Sequence, residues 1–178
     1  NKYYGGVIPA AGEFSEVDEE TLAALKEFPN TISRSIERYR FREASQDLLG
    51  LARLGNKYLA DEEPWKVVKL DEERVKTIMN VALQIAAALA VLSEPFLPFT
   101  SVKLKNMLNI SQESLSWNDI STKEVLLSAN HQINKAELLF AKIEDNEIEA
   151  QLEKLQATKL ANEQEKKVVE PQKETIEF

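Results

Sequence analysis

Residues 71–92, DEERVKTIMNVALQIAAALAVL, decide the fold. Asp71, Glu72 and Glu73 place negative charge where a helix N-terminus favours it. Val75, Ile78, Met79, Ala82, Leu83, Ile85, Ala86, Leu89 and Leu92 then recur at helical spacing and occupy more than one face. Such a helix must be covered on several sides, which predicts the central helix of an all-α, antiparallel bundle. Its longest apolar stretch, Val81 to Leu92, is interrupted by Gln84 and reads as too short to span a bilayer, so no membrane partner is expected.

Working upstream, Ser15 to Glu20 supplies cap residues and acids ahead of Leu22, Leu25 and Phe28, and Pro29 is expected to interrupt that helix. Asn30 or Thr31 would recap a run with Ile32, Ser35, Ile36 and Tyr39, followed by a run with Phe41, Ala44, Leu48, Leu51, Ala52 and Leu59. Pro64 should push Glu63 out of the helical region and leave a loop. Downstream, Pro95 and Pro98 stop the central helix, and Thr100 or Ser101 would cap a short helix bearing Val102, Leu104 and Leu108. From Asn109 to Lys135 the pattern weakens to loop and short turns. Ile148, Leu152, Leu155 and Leu160 then form a narrow stripe for a terminal strap helix that could pack along the bundle. The expected organisation is an irregular arm over 1–14, holding three of the five Gly, a bundle over 15–160, and a charged linker over 161–178. No repeat of 20 to 50 residues is visible, which disfavours a solenoid.

A chain of 178 residues suggests one domain, and 43% hydrophobic content is enough for a core. The net charge of −8 is the wrong sign for holding duplex nucleic acid by general charge neutralisation, so any nucleic-acid contact must be local. With no Cys and one His there is no disulfide framework, Cys/His zinc site or thiol nucleophile. Gly5, Gly6 and Gly12 match neither dinucleotide nor phosphate-loop spacing. The start lacks a secretory pattern and an initiating Met, so a cytoplasmic piece of a longer protein is expected.

The acidic runs Asp61-Glu62-Glu63 and Asp71-Glu72-Glu73 lie at helix ends, where solvated dipole partners are expected rather than an acid/base pair. His131 has no neighbouring ligand or triad partner. Trp65, behind Pro64 in a helix-to-helix loop, can present a flat face to an unpaired base, or cap a bundle end. Lys57, Lys66 and Lys69 can supply charge for a phosphate backbone, or be ordinary solvated lysines. Trp117 lacks such a surround and reads as a core or surface cap. Arg34, Arg38, Arg40, Arg42 and Arg53 form the other basic feature, and pairing with acids is favoured there over RNA contact.

Taken together, Asn1-Lys2-Tyr3-Tyr4-Gly5-Gly6-Val7-Ile8-Pro9, Phe41-Arg42-Glu43-Ala44, Ala52-Arg53-Leu54-Gly55-Asn56-Lys57-Tyr58-Leu59 and Glu63-Pro64-Trp65-Lys66 resemble the C-terminal helical domain of bacterial methionyl-tRNA synthetases, class I aminoacyl-tRNA synthetases. Pro95 to Thr100 and Leu138 to Glu144 extend the resemblance over about residues 1 to 150. It implies an anticodon-binding bundle acting within an enzyme that joins methionine to its tRNA using ATP. Trp65 matches the family position that stacks the first anticodon base, a cytosine, and Pro64 the neighbouring contact. Lys57 and Lys66 become candidate phosphate or loop contacts.

The family's Asn and Arg anticodon contacts, on a helix preceding the segment like Asn1 to Tyr4, have no counterpart here. Its H-I-G-H and K-M-S-K-S signatures are also absent. ATP with magnesium would therefore belong to a catalytic domain of the parent enzyme, and this chain alone should be inactive, with no cofactor or catalytic residue. The partners implied are the anticodon loop of methionine tRNA and that catalytic domain. Glu174 to Phe178 resemble the approach to an appended tRNA-binding domain through which some members dimerise, so the chain alone is expected to be monomeric. The alternatives are a helical protein-interaction module, and the bundle of another class I synthetase; the Pro64-Trp65 context argues for methionine.

Overall fold

The computed structural model describes residues 4–111 and 114–169, with side chains through residue 163. Asn1 to Tyr3 of the resemblance and residues 170–178 of the expected linker lie outside the described residues. The elements are α1 (Glu16–Glu37), α2 (Phe41–Glu62), α3 (Pro64–Val67), α4 (Glu72–Leu92), α5 (Pro98–Leu108), α6 (Trp117–Thr122) and α7 (Asp145–Val169). The all-α expectation is met, and the only β pairing among the described residues is an isolated bridge between Val7 and Gln132. The chain divides into two compact units, Asn1–Leu139 and Phe140–Phe178.

In the first unit α4 is the hub, packing against α1, α2, α3, α5 and α6. Ile78, Val81, Ile85, Ala88 and Leu92 are buried on it, as its many-sided apolar pattern requires. Where α2 crosses α4, a Cβ on Gly55 would lie 3.1 Å from Ile85 Cγ2, so the missing side chain permits the close approach. α4 has 21 residues, more than its apolar run alone suggested, and an 18-residue window of it reaches a mean hydropathy of 1.8, enough by length and composition alone to cross a membrane. Of that window 67% is buried inside the bundle, so the composition is that of a core helix.

Three local readings are corrected. Pro29 does not interrupt α1, which runs unbroken to Glu37, so Asn30 and Thr31 cap nothing. A mid-helix Pro costs about 3 kcal/mol. Pro29 is buried on the same face as Thr21, Leu25 and Ile32, where packing offsets that cost, and Ser121 Oγ of α6 donates to the Lys26 carbonyl at 3.2 Å in the preceding turn. Next, α5 begins at Pro98 rather than at a Thr100 or Ser101 cap; Ser101 is buried, donating to the Ala90 carbonyl at 2.6 Å. Finally, the expected loop over 109–135 contains α6. Ser116 and Asp119 form its reciprocal capping box, and Ser116 hydrogen bonds pull the Asp119 pKa down to about 2. Ile120 is buried and Trp117 packs against the core, as a core or cap reading of that indole predicts.

The irregular N-terminal arm is tied into the core rather than hanging from it. Gly5 and Gly6 take φ of 58° and 84°, closing the turn in which Val7 N–H donates to the Tyr4 carbonyl at 3.0 Å. Ile8 is buried, donating to the His131 carbonyl at 3.0 Å and accepting from Asn130 N–H at 2.9 Å. His131 Nε2 donates to the Leu108 carbonyl at 2.8 Å, a structural role. Gln84, the polar residue inside the apolar run, satisfies buried backbone: its Oε1 accepts from Leu126 N–H at 2.8 Å and Leu127 N–H at 3.0 Å, and its Nε2 donates to the Leu127 carbonyl at 2.9 Å.

In the second unit, α7 continues to Val169, so residues 161–169 of the expected linker are helical. Its stripe of Ile148, Leu152, Leu155 and Leu160 is exposed.

Three helices of the first unit meet at one charged centre. Asp18, fully buried on α1, receives both terminal nitrogens of Arg74 on α4, Nη2 at 3.0 Å from Oδ1, and also the Tyr58 hydroxyl of α2 at 2.6 Å. Arg74 Nη2 also reaches Glu62 Oε2 on the last residue of α2, at 2.6 Å. Burial alone would raise the Asp18 pKa, but hydrogen bonds from Arg74 and Tyr58 outweigh it and hold the carboxyl below the ordinary 3.8. Burial, followed by the hydrogen bond to Asp18, raises the Tyr58 pKa.

Three outcomes follow for stability. Arg74→Met leaves the buried Asp18 charge unpaired and is expected to cost about 3–5 kcal/mol in urea denaturation, with part recovered in the double variant with Asp18→Asn. Because the folded pKa of Asp18 lies below its unfolded value, its contribution is complete above pH 3.8 and fades as acid protonates it. The stability lost on acidification should therefore be smaller in that double variant than in the wild type. Gln84→Leu orphans the Leu126 and Leu127 amides and should cost about 1–3 kcal/mol per orphaned group.

Candidate nucleic-acid interface

The turn between α2 and α4 is built by one unusual residue and one Pro. Glu63 ends α2 in the left-handed region at φ 42°, not in the extended region that a following Pro usually enforces. Its N–H still donates to the Leu59 carbonyl at 3.1 Å, while its own carbonyl accepts from Lys66 N–H at 2.8 Å and Val67 N–H at 3.2 Å. One residue thus closes α2 and opens α3. Pro64 occupies the first turn of α3, where a missing N–H costs nothing, and it is buried. The chain then returns through Asp71 N–H to the Val67 carbonyl at 2.9 Å, and Asp71 caps α4 by accepting from Arg74 N–H at 2.9 Å.

Trp65 follows Pro64 and stands 58% exposed. Trp117, by contrast, packs against the core, so the Trp65 ring is the indole left open to solvent on this turn. The left-handed Glu63, costing about 1–3 kcal/mol, is bracketed by Glu62 in the Arg74 centre and by buried Pro64. The Asp18–Arg74–Glu62 centre therefore fixes the base of the Trp65 turn.

The fold brings Pro64, Trp65 and Lys66 together on the single turn of α3. Lys66 pairs with Glu63 at 2.7 Å with its side chain largely exposed. Lys57 lies elsewhere, lining a groove between α1 and α2 with Val17, Thr21 and Leu54, where it pairs with Asp61 at 2.5 Å. The hydrogen bond to Asp61 raises its pKa, so it remains a cation. The acidic runs are occupied structurally: Asp61 by Lys57, Glu62 by Arg74, Glu63 by Lys66, Glu73 by Lys76.

Sequence reasoning missed the positioning residues Asp18, Tyr58, Glu62 and Arg74. A signal existed for one of them. Asp18 is seven residues before Leu25 and fourteen before Ile32, so a carboxylate occupies a position of the buried stripe and requires a cation from a neighbouring helix.

The profile of the family described as the anticodon binding domain of methionyl tRNA ligase matches residues 8–160. The chain is 64% identical over its whole length to a methionine–tRNA ligase of Christiangramia forsetii, and 62% identical to one of Flavobacterium psychrophilum. It spans 26% of each of those relatives. A crystal structure of the free-state methionyl-tRNA synthetase of Mycobacterium tuberculosis shares the fold, with a TM-score of 0.72 at 19% identity over 78% of this chain and 28% of that one. A match across the bundle and the turn that carries Trp65 assigns the chain to a family: it belongs to the anticodon-binding domains of methionyl-tRNA ligases.

Proposed function

We propose that the chain recognises the anticodon of methionine tRNA, as part of a cytoplasmic enzyme that attaches methionine to that tRNA using ATP. The observation that carries this reading is the outward indole of Trp65, 58% exposed on a turn fixed by buried Pro64. Anticodon bases are unpaired and can be splayed onto an aromatic face, and the face selects a single-stranded loop over duplex without a basic protein surface. That agrees with a net charge of −8. In this reading Trp65 stacks the first anticodon base, Pro64 sets the ring's direction, and Lys66 and Lys57 exchange their exposed carboxylate partners for phosphates. The lysines position the RNA; the base contact gives selectivity.

The chain spans 26% of the ligases it matches, and in this reading ATP, magnesium and the chemical step belong to a catalytic domain of the parent enzyme, and any dimerisation to a further domain.

Trp65→Ala is expected to weaken binding of a cytosine-first anticodon stem-loop by about 1–3 kcal/mol in calorimetry and to abolish the preference over a loop with another first base. Its melting temperature should stay near the wild-type value, because the ring is mostly solvated. Retained preference would reject the stacking role. Lys66→Ala should weaken both loops alike and lower the slope of log affinity against log salt by about 1.

A further inference from the structure

The opposite end of α2 carries a second feature that the Trp65 site does not use. Residues 34–42 hold four Arg and one acid, Glu37, in a chain with a net charge of −8. Arg34, Arg38, Arg40 and Arg42 are all exposed, and pairing with acids, expected for them, is met only by Arg40 with Glu43 at 3.3 Å among the described residues. Asp47, the other acid near them, accepts from Ser35 Oγ at 3.1 Å instead. Arg34, Arg38 and Arg40 line one open cleft of about 340 Å³ with those acids.

Between the arginines stand two outward aromatics, Tyr39 at 83% and Phe41 at 58% exposure, packed edge to face with ring centroids 6.4 Å apart. Tyr39 holds φ 60° at the end of α1, where Arg40 N–H reaches back to the Ser35 carbonyl at 2.8 Å and Tyr39 N–H to the Ile36 carbonyl at 2.8 Å. This is the helix-ending geometry in which glycine is the favoured residue. A tyrosine here adopts an unfavourable conformation while its ring gains little burial. Unpaired guanidinium forks beside exposed rings match phosphate oxygens and sugar or base faces, and they match a water-solvated acidic peptide less well because the rings would find no partner.

We propose that this α1–α2 corner is a second RNA contact, binding the sugar-phosphate backbone of the same tRNA beyond its anticodon arm. It rests on the anticodon-reading function above and extends it. The 22 residues of α2 separate the corner from Trp65 by about 33 Å. That is more than about ten base-pair steps of an RNA helix, whose A-form rise is smaller than the ~3.4 Å of B-form DNA. An RNA seated at Trp65 therefore reaches the corner only with helical structure beyond a short stem-loop.

The test compares full-length methionine tRNA with its minimal anticodon stem-loop, using the intact chain, the Arg34→Gln/Arg38→Gln/Arg42→Gln triple variant, Tyr39→Gly, and Trp65→Ala. The triple variant should weaken full-length tRNA at low salt by at least about tenfold and lower its salt slope by about 2 to 3. Stem-loop affinity should be unchanged. Tyr39→Gly should melt no lower than wild type, since glycine suits the positive φ, yet bind full-length tRNA more weakly. Unchanged slope and affinity in the triple variant, or equal weakening of tRNA and stem-loop, would overturn the proposal. Anticodon preference separates it from the reading on which it rests. Preference kept with an unchanged slope rejects only the corner; preference absent with a reduced slope rejects anticodon reading and leaves the corner as an RNA-backbone site.

Discussion

Everything at the Trp65 end of the bundle depends on one ion pair, Arg74 with the buried carboxylate of Asp18. Asp18 is fully enclosed, so without a cation it would either unfold its surroundings or take up a proton. Arg74 supplies the cation from the first turn of α4, Tyr58 adds a hydroxyl from α2, and the Arg74 fork extends to Glu62. A planar guanidinium can hold two carboxylates on different helices at once; a lysine in its place would be a single point charge. The pair thus sets the relative placement of the α1 start, the α2 end and the α4 start, and an apolar core alone would specify that register less sharply.

The consequence is local rigidity next to an exposed ring. Immediately after Glu62 the chain takes a left-handed step at Glu63, then a buried Pro64, then Trp65. A stacking platform loses affinity when its ring must be ordered at the moment of binding. If Trp65 is such a platform, as proposed, folding has done the ordering: the charged centre and Pro64 hold the backbone on either side of the strained residue. In the proposed reading the acidic balance of the chain serves discrimination, since a surface with little general attraction for duplex would leave a local aromatic contact as the source of selectivity.

The sequence made α4 legible because its apolar positions run around several faces and only the hub of a bundle can bury such a helix. It made the end of α2 legible because Pro64 stands between two amphipathic runs with acids on both sides. Pro29 misled, since a local rule about helix interiors was overridden by burial of the ring on the α1 core face. α6 was overlooked because it is six residues long, below the length at which periodicity registers, although Ser116 and Asp119 carried a capping signature. The Asp18–Arg74 centre was not legible in full. Those partners are 56 residues apart, and no short-range pattern announces which basic side chain will meet a buried acid.

If the charged centre holds Trp65 ready for an unpaired base, loosening that centre should weaken the contact without unfolding the bundle. In a Trp117→Phe background Trp65 is the single indole, and its fluorescence can be titrated with the cytosine-first stem-loop with and without Glu62→Gln. Quenching should be saturable and anticodon-selective with Glu62 intact, and weaker in Glu62→Gln under conditions where circular dichroism shows the bundle folded. Identical selective titrations in the two proteins would mean that the charged centre does not hold Trp65 in place.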